Sequence, residues 1–79
     1  MSKETVFTGT IPEQCQLCSG PIRDVFIDGK IRGTGQWAYM CPYCHKTEGC
    51  GLGTGLGQMY MKDTDHESEN YGKFVKVKG

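Results

Sequence analysis

Cys15 and Cys18, then Cys41 and Cys44, form two Cys-x2-Cys pairs with twenty-two residues between them. That is ligand spacing for a single tetrahedral metal site. Each pair fits a tight turn that aims two thiolates at one point. The stretch between the pairs is long enough to run out and back as a β-hairpin. Zinc is the expected ion, one per chain, because four thiolates form a closed shell that it accepts without strain. A closed shell leaves no position for a substrate, so the expected role of the metal is structural. Two disulfides plus a spare thiol is the competing reading. The chain carries five cysteines, and an odd number fits poorly with a secreted disulfide framework.

Size makes the metal matter more. The chain has 79 residues, and a chain of this length buries only about 60% of its unfolded surface. Aliphatic residues are sparse and glycines number twelve. A core that thin needs a staple, which the metal supplies. The reading is one domain over 1–79, with a core at about 5–62, an acidic loop at 63–70 and a basic tail at 71–79. Residues 1–5 lead into a mixed stretch with no apolar leader, and no apolar run reaches membrane-spanning length. A reducing cytoplasm and no membrane partner are expected.

Nine Lys and Arg balance nine Asp and Glu. Four thiolates and one divalent ion would take the holo-protein to a net charge of about −2. Nonspecific nucleic-acid binders rely on a cationic excess, and this chain has none overall, which leaves a local basic patch.

The expected fold class is a small metal-stabilised all-β protein, a zinc ribbon built from two Cys-x2-Cys knuckles and β-hairpins. Thr5-Val6-Phe7-Thr8 is β-prone and reads as a short edge strand. Ser19-Gly20 lets backbone N–H groups turn towards the sulfurs. Residues 22–27 read as a strand, with Asp28-Gly29 as the hairpin turn. The return strand runs through Trp37-Ala38-Tyr39-Met40 into Cys41, interrupted earlier by Gly33-Thr34-Gly35. Phe74, Val75 and Val77 with alternating lysines read as a closing strand whose lysines guard an edge. No helix beyond a turn is expected.

Residues 49–61 are the second unusual feature. Glycine falls at 49, 51, 53, 55 and 57. If the segment is extended, one face is bare backbone and the other carries Cys50, Leu52, Thr54, Leu56, Gln58 and Tyr60. If not, it is a loop. The run lacks the Lys-Ser/Thr ending of a phosphate loop. Its N–H groups still suit an anion nest, and its bare face suits close approach by a partner. The segment is expected to form or border a binding surface, with Gly53 and Gly55 permitting approach and Tyr43, Leu56, Gln58 and Tyr60 as contacts. Trp37, Tyr39, Tyr43 and Tyr60 read either as a stacking platform or as core packed over the metal. Cys50 and His45 stand close enough in sequence to replace a ligand, but the paired cysteines have the cleaner spacing.

The segment from Cys15 to Tyr60 resembles small, mostly uncharacterised zinc-ribbon proteins of bacteriophages and prophages, within the wider group of zinc ribbons and rubredoxin-type knuckles. The likeness rests on Phe26-Ile27-Asp28-Gly29, on Trp37-Ala38, and on Met40-Cys41 with Cys44-His45. Gly51-Leu52-Gly53-Thr54-Gly55, Gly57-Gln58 and Tyr60 complete it. Members of that group often carry a basic residue where this chain has Leu56. The resemblance implies a ribbon fold and a phage-type origin.

Enzyme chemistry has little support. Zinc hydrolases need an open coordination position, and zinc deaminases need a His-x-Glu upstream of Pro-Cys-x2-Cys. The chain reads as a non-enzymatic binding protein whose partner is a nucleic acid or a host or phage protein of the nucleic-acid machinery, with no small-molecule substrate. Two alternatives stand beside it. Cys41-Pro42-x-Cys44 resembles a rubredoxin knuckle, which would make the chain an electron carrier with iron in the same thiolates. The other is an adaptor or inhibitor that binds a host protein alone.

Overall fold

The computed structural model describes residues 5–79; residues 1–4, where the expectation of no leader begins, lie outside them. The chain forms β1 (Val25–Lys30), β2 (Trp37–Met40), α1 (Pro42–Glu48), β3 (Gly57–Lys62) and β4 (Phe74–Lys78). The strands make one antiparallel sheet in the order β2-β1-β3-β4. Thr5–Phe7 continues it: Val6 bridges Val75, and the Phe7 N–H donates to the Phe74 carbonyl at 2.8 Å. The β-prone start of the chain therefore covers the outer edge of β4. At the opposite edge Gln16 bonds both backbone groups of Tyr39, at 2.9 and 2.7 Å.

Asp28 and Gly29 do not turn. They lie inside β1, opposite Tyr39 and Ala38 on one side and Gln58 and Gly57 on the other. The turn comes later, where Ile31 N–H donates to the Gln36 carbonyl at 2.7 Å, and Gly33 and Gly35 take φ of +90° and +75°. An Asp-Gly pair permits a turn without demanding one. Here pairing on both sides of β1 outweighs that local preference.

The second correction is a helix. Pro42–Glu48 forms two turns where only a knuckle turn was expected. Pro42 sits at the first helical position with its φ preset, and no glycine interrupts the segment until Gly49. Cys41 is the N-cap but makes no side-chain capping bond, so its sulfur remains free for another use.

The glycine run is not a strand before Gly57. Gly51, Gly53 and Gly55 adopt φ of +95°, +135° and +79°, so residues 49–56 are a loop. Only 57–62 alternates as expected. Gly57 is needed for another reason: a Cβ there would lie 2.8 Å from the Gly51 carbonyl oxygen and 3.4 Å from Gly29 Cα. Gly57→Ala is therefore expected to destabilise the fold by about 1–3 kcal/mol. The readout is a lower denaturation midpoint at unchanged m-value. A midpoint equal to wild type would show that the loop gives way freely.

Both sheet faces carry a small core. One holds Ile27, Ala38 and Met40 with Cys15 and Cys44, and Leu52 and Met59 pack at its margin. The other holds Phe26, Tyr60 and Phe74, with Phe7, Ile22 and Tyr39 packed against them. Phe74 and Val75 are buried, so the core reaches into the segment set apart as a basic tail. Residues 63–70 form no strand. Hydrogen bonds from the Ser68 hydroxyl and the Asp65 N–H hold the Asp63 carboxyl below the usual range.

Candidate metal centre

The four paired cysteines meet at one point. Their sulfurs all lie within 4.8 Å of one another, and Cys18 and Cys41 Sγ are 3.9 Å apart. A tetrahedral ion with metal–sulfur bonds of about 2.3 Å sets sulfurs about 3.8 Å apart. The donor set and the spacing therefore fit a tetrahedral metal ion. Cys15 and Cys44 are buried, Cys41 half-buried and Cys18 exposed, so the site has a dry side against the sheet and a wet side.

Local chemistry builds each half. In the first pair Ser19 takes a positive φ of 63°, and its N–H donates to the Cys15 carbonyl at 2.8 Å. That turn brings the Leu17 N–H to Cys15 Sγ and the Gly20 N–H to Cys18 Sγ, both at 3.4 Å. Such bonds favour thiolate. The positive φ falls on Ser19, one residue before the glycine. In the second pair Cys41 directly follows β2 as the N-cap of α1, and Cys44 sits in the first turn of that helix. The helix therefore fixes the angle between the two sulfurs.

Electrostatics explain why the cluster wants a cation. Burial pushes the Cys15 thiol up, but hydrogen bonds from the backbone of Cys18, Cys41 and Leu17 and from the Cys44 thiol outweigh it. They bring its pKa down to about 6. Burial pushes Cys44 up, and the three neighbouring sulfurs push it the same way. Four thiolates cannot share this volume without a positive ion among them.

His45 and Cys50 stay out of the cluster. The His45 ring instead bonds the Gly51 carbonyl through Nε2 at 2.9 Å, tying the glycine loop to α1. Cys50 is a half-buried free thiol. His66 packs against Tyr71 at 4.5 Å.

The six candidate contact residues do not form one surface. Tyr43 is 73% exposed on α1 and lines a shallow cleft with Leu17 and Ile31, on the metal side of the sheet. Tyr60 belongs to the opposite core. It is buried, and its ring stacks on Phe26 at 5.2 Å while its hydroxyl donates to Gln58. Gln58 is half-buried on Tyr60's face of β3, and Leu56 is exposed at the loop end. Gly53 and Gly55 would meet little if given a Cβ, but their positive φ would strain any branched residue. Lys30 is the neighbour that spacing did not single out: its N–H donates to the Leu56 carbonyl at 2.9 Å, and it pairs with Trp37.

No helix among the described residues is long and apolar enough to cross a membrane. The architecture defines a small antiparallel β-protein with one short helix and four cysteines placed to hold a metal ion. Comparison with protein-family models, with curated proteins and with solved structures found no match.

Proposed function

We propose that this chain is a zinc-ribbon protein of the bacteriophage type, working in the cytoplasm without enzymatic activity, and that it binds nucleic acid or a protein of the nucleic-acid machinery. The observation that carries this reading is the division of labour across the sheet. The sulfur cluster has four donors and so no place for a substrate. The exposed Trp37 and Leu56 flank Lys30 at the other working end of the sheet. An aromatic ring, a cation and a loop on a rigid support suit recognition.

Zinc is the assigned ion on the strength of the four-sulfur donor set. Protein from metal-replete medium is expected to be colourless, with one equivalent of zinc by elemental analysis. A red preparation with one iron and a reversible reduction would establish the electron carrier instead. For binding, the test is fluorescence anisotropy with labelled random-sequence single-stranded DNA and RNA over a salt series. Binding that weakens steeply with salt is expected. No binding to either polymer at low salt would leave the protein partner.

A further inference from the structure

The face of the sheet opposite the metal has two unlike ends. At one end Phe7, Ile22 and Phe74 close over Phe26 and Tyr60. The other end is open. Lys30 lies opposite Trp37, and Asp28 lies opposite both Tyr39 and Gln58. Cross-strand pairing and the two-residue period of a strand put all five on one face. Trp37 is 47% exposed, and the other four are half-buried.

Asp28 is out of place as a structural residue. Aspartate is disfavoured in strands, and this one sits on a strand paired on both sides. Burial pushes its carboxyl above the usual range, and burial, followed by the charge of Asp28, raises the neighbouring Tyr60 phenol. No donor among the described residues bonds its oxygens. Beside it, the Gln58 carbonyl oxygen accepts the Tyr60 hydroxyl at 3.2 Å. The Gln58 amide nitrogen is left with no acceptor among the described residues. The open end therefore offers an acceptor pair next to a donor, with an exposed indole and a cation alongside.

We propose that this open end binds single-stranded nucleic acid and selects guanine. The proposal rests on the nucleic-acid arm of the function given above. Guanine is the one base whose Watson–Crick edge presents two adjacent N–H donors, at N1 and N2, which a carboxylate accepts in parallel. Its O6, next along the edge, accepts from an amide N–H. Asp28 and Gln58 supply that set side by side. Trp37 supplies a stacking face and Lys30 a phosphate contact. Adenine would place its N1 lone pair against the carboxylate, and uracil or thymine would offer a single N–H flanked by two carbonyls.

Trp37 is the only tryptophan, so its emission reports on stacking without a label. The zinc-loaded protein is titrated with a thymine oligonucleotide and with the same oligonucleotide carrying one guanine. Labelled copies serve for anisotropy, and zinc content is checked in every variant. The guanine oligonucleotide is expected to quench Trp37 and to bind about ten-fold tighter, the discrimination of one good bidentate contact. Asp28→Asn should abolish the preference, since the ratio between the two oligonucleotides is insensitive to any general change in charge. Lys30→Gln should weaken both equally and flatten the salt dependence. Trp37→Leu should reduce both by anisotropy. Equal binding of the two oligonucleotides by wild type, or an Asp28→Asn variant that keeps the preference, overturns the guanine site while leaving nucleic-acid binding intact. No binding of either, or binding untouched by Trp37→Leu and Lys30→Gln, overturns this surface altogether.

Discussion

Cys41→Ser is expected to leave the chain unfolded even in metal-replete buffer. Cys41 joins the last residue of β2 to the first turn of α1, so its sulfur ties two elements to the site at once. Three thiolates would remain, with an open position in a cluster where burial already opposes ionisation of Cys44. A structural zinc site is worth on the order of 10 kcal/mol, comparable to the whole stability of about 5–15 kcal/mol of an ordinary domain. Neither small core offsets such a loss. Circular dichroism should show the sheet signal gone, and elemental analysis should show the metal lost. Cys50→Ser is the control, because that half-buried thiol lies outside the cluster. It should keep both metal and sheet. A Cys41→Ser chain that folds without metal would show that the two apolar clusters suffice.

The four-sulfur cluster was legible because its information is local. A Cys-x2-Cys pair needs two sulfurs on one turn, and spacing alone states that. Trp37–Met40 and Phe74–Lys78 were legible for a similar reason, since aromatic and β-branched residues recur there with no glycine or proline between them. What failed was local information that the tertiary fold overrode. Asp28-Gly29 carries turn chemistry but is held straight by partners on both sides. The alternating glycines of 49–57 mimic a strand period, yet three of them take positive φ, which no extended strand uses. The helix at Pro42–Glu48 was hidden because its second turn has no long apolar period to announce it. Lys30 and Asp28 were missed as surface residues because the face they share with Trp37 exists only once the register is set.

That same register predicts how the two sides of the sheet depend on each other. Phe26 is fully buried on the side away from the metal. The rings of Phe7, Tyr60 and Phe74 lie 5.1–5.2 Å from it, with Tyr39 at 5.7 Å. Ile27, the next residue, is fully buried on the metal side and shares a cluster with Cys15 and Cys44. Phe26→Ala should cost about 3–5 kcal/mol, because so ringed a site cannot collapse around the missing side chain. If the chain without metal is unfolded, the free energy of binding includes the free energy of folding. The lost packing then appears as weaker metal binding although no ligand is touched. At 1.4 kcal/mol per ten-fold, the zinc dissociation constant should rise on the order of a thousand-fold. Competition against a chromophoric chelator measures it. Excess zinc should restore the fold, which separates this variant from a ligand mutant. An unchanged zinc affinity would mean that the two knuckles assemble without the sheet, and that the metal and the aromatic core are independent supports.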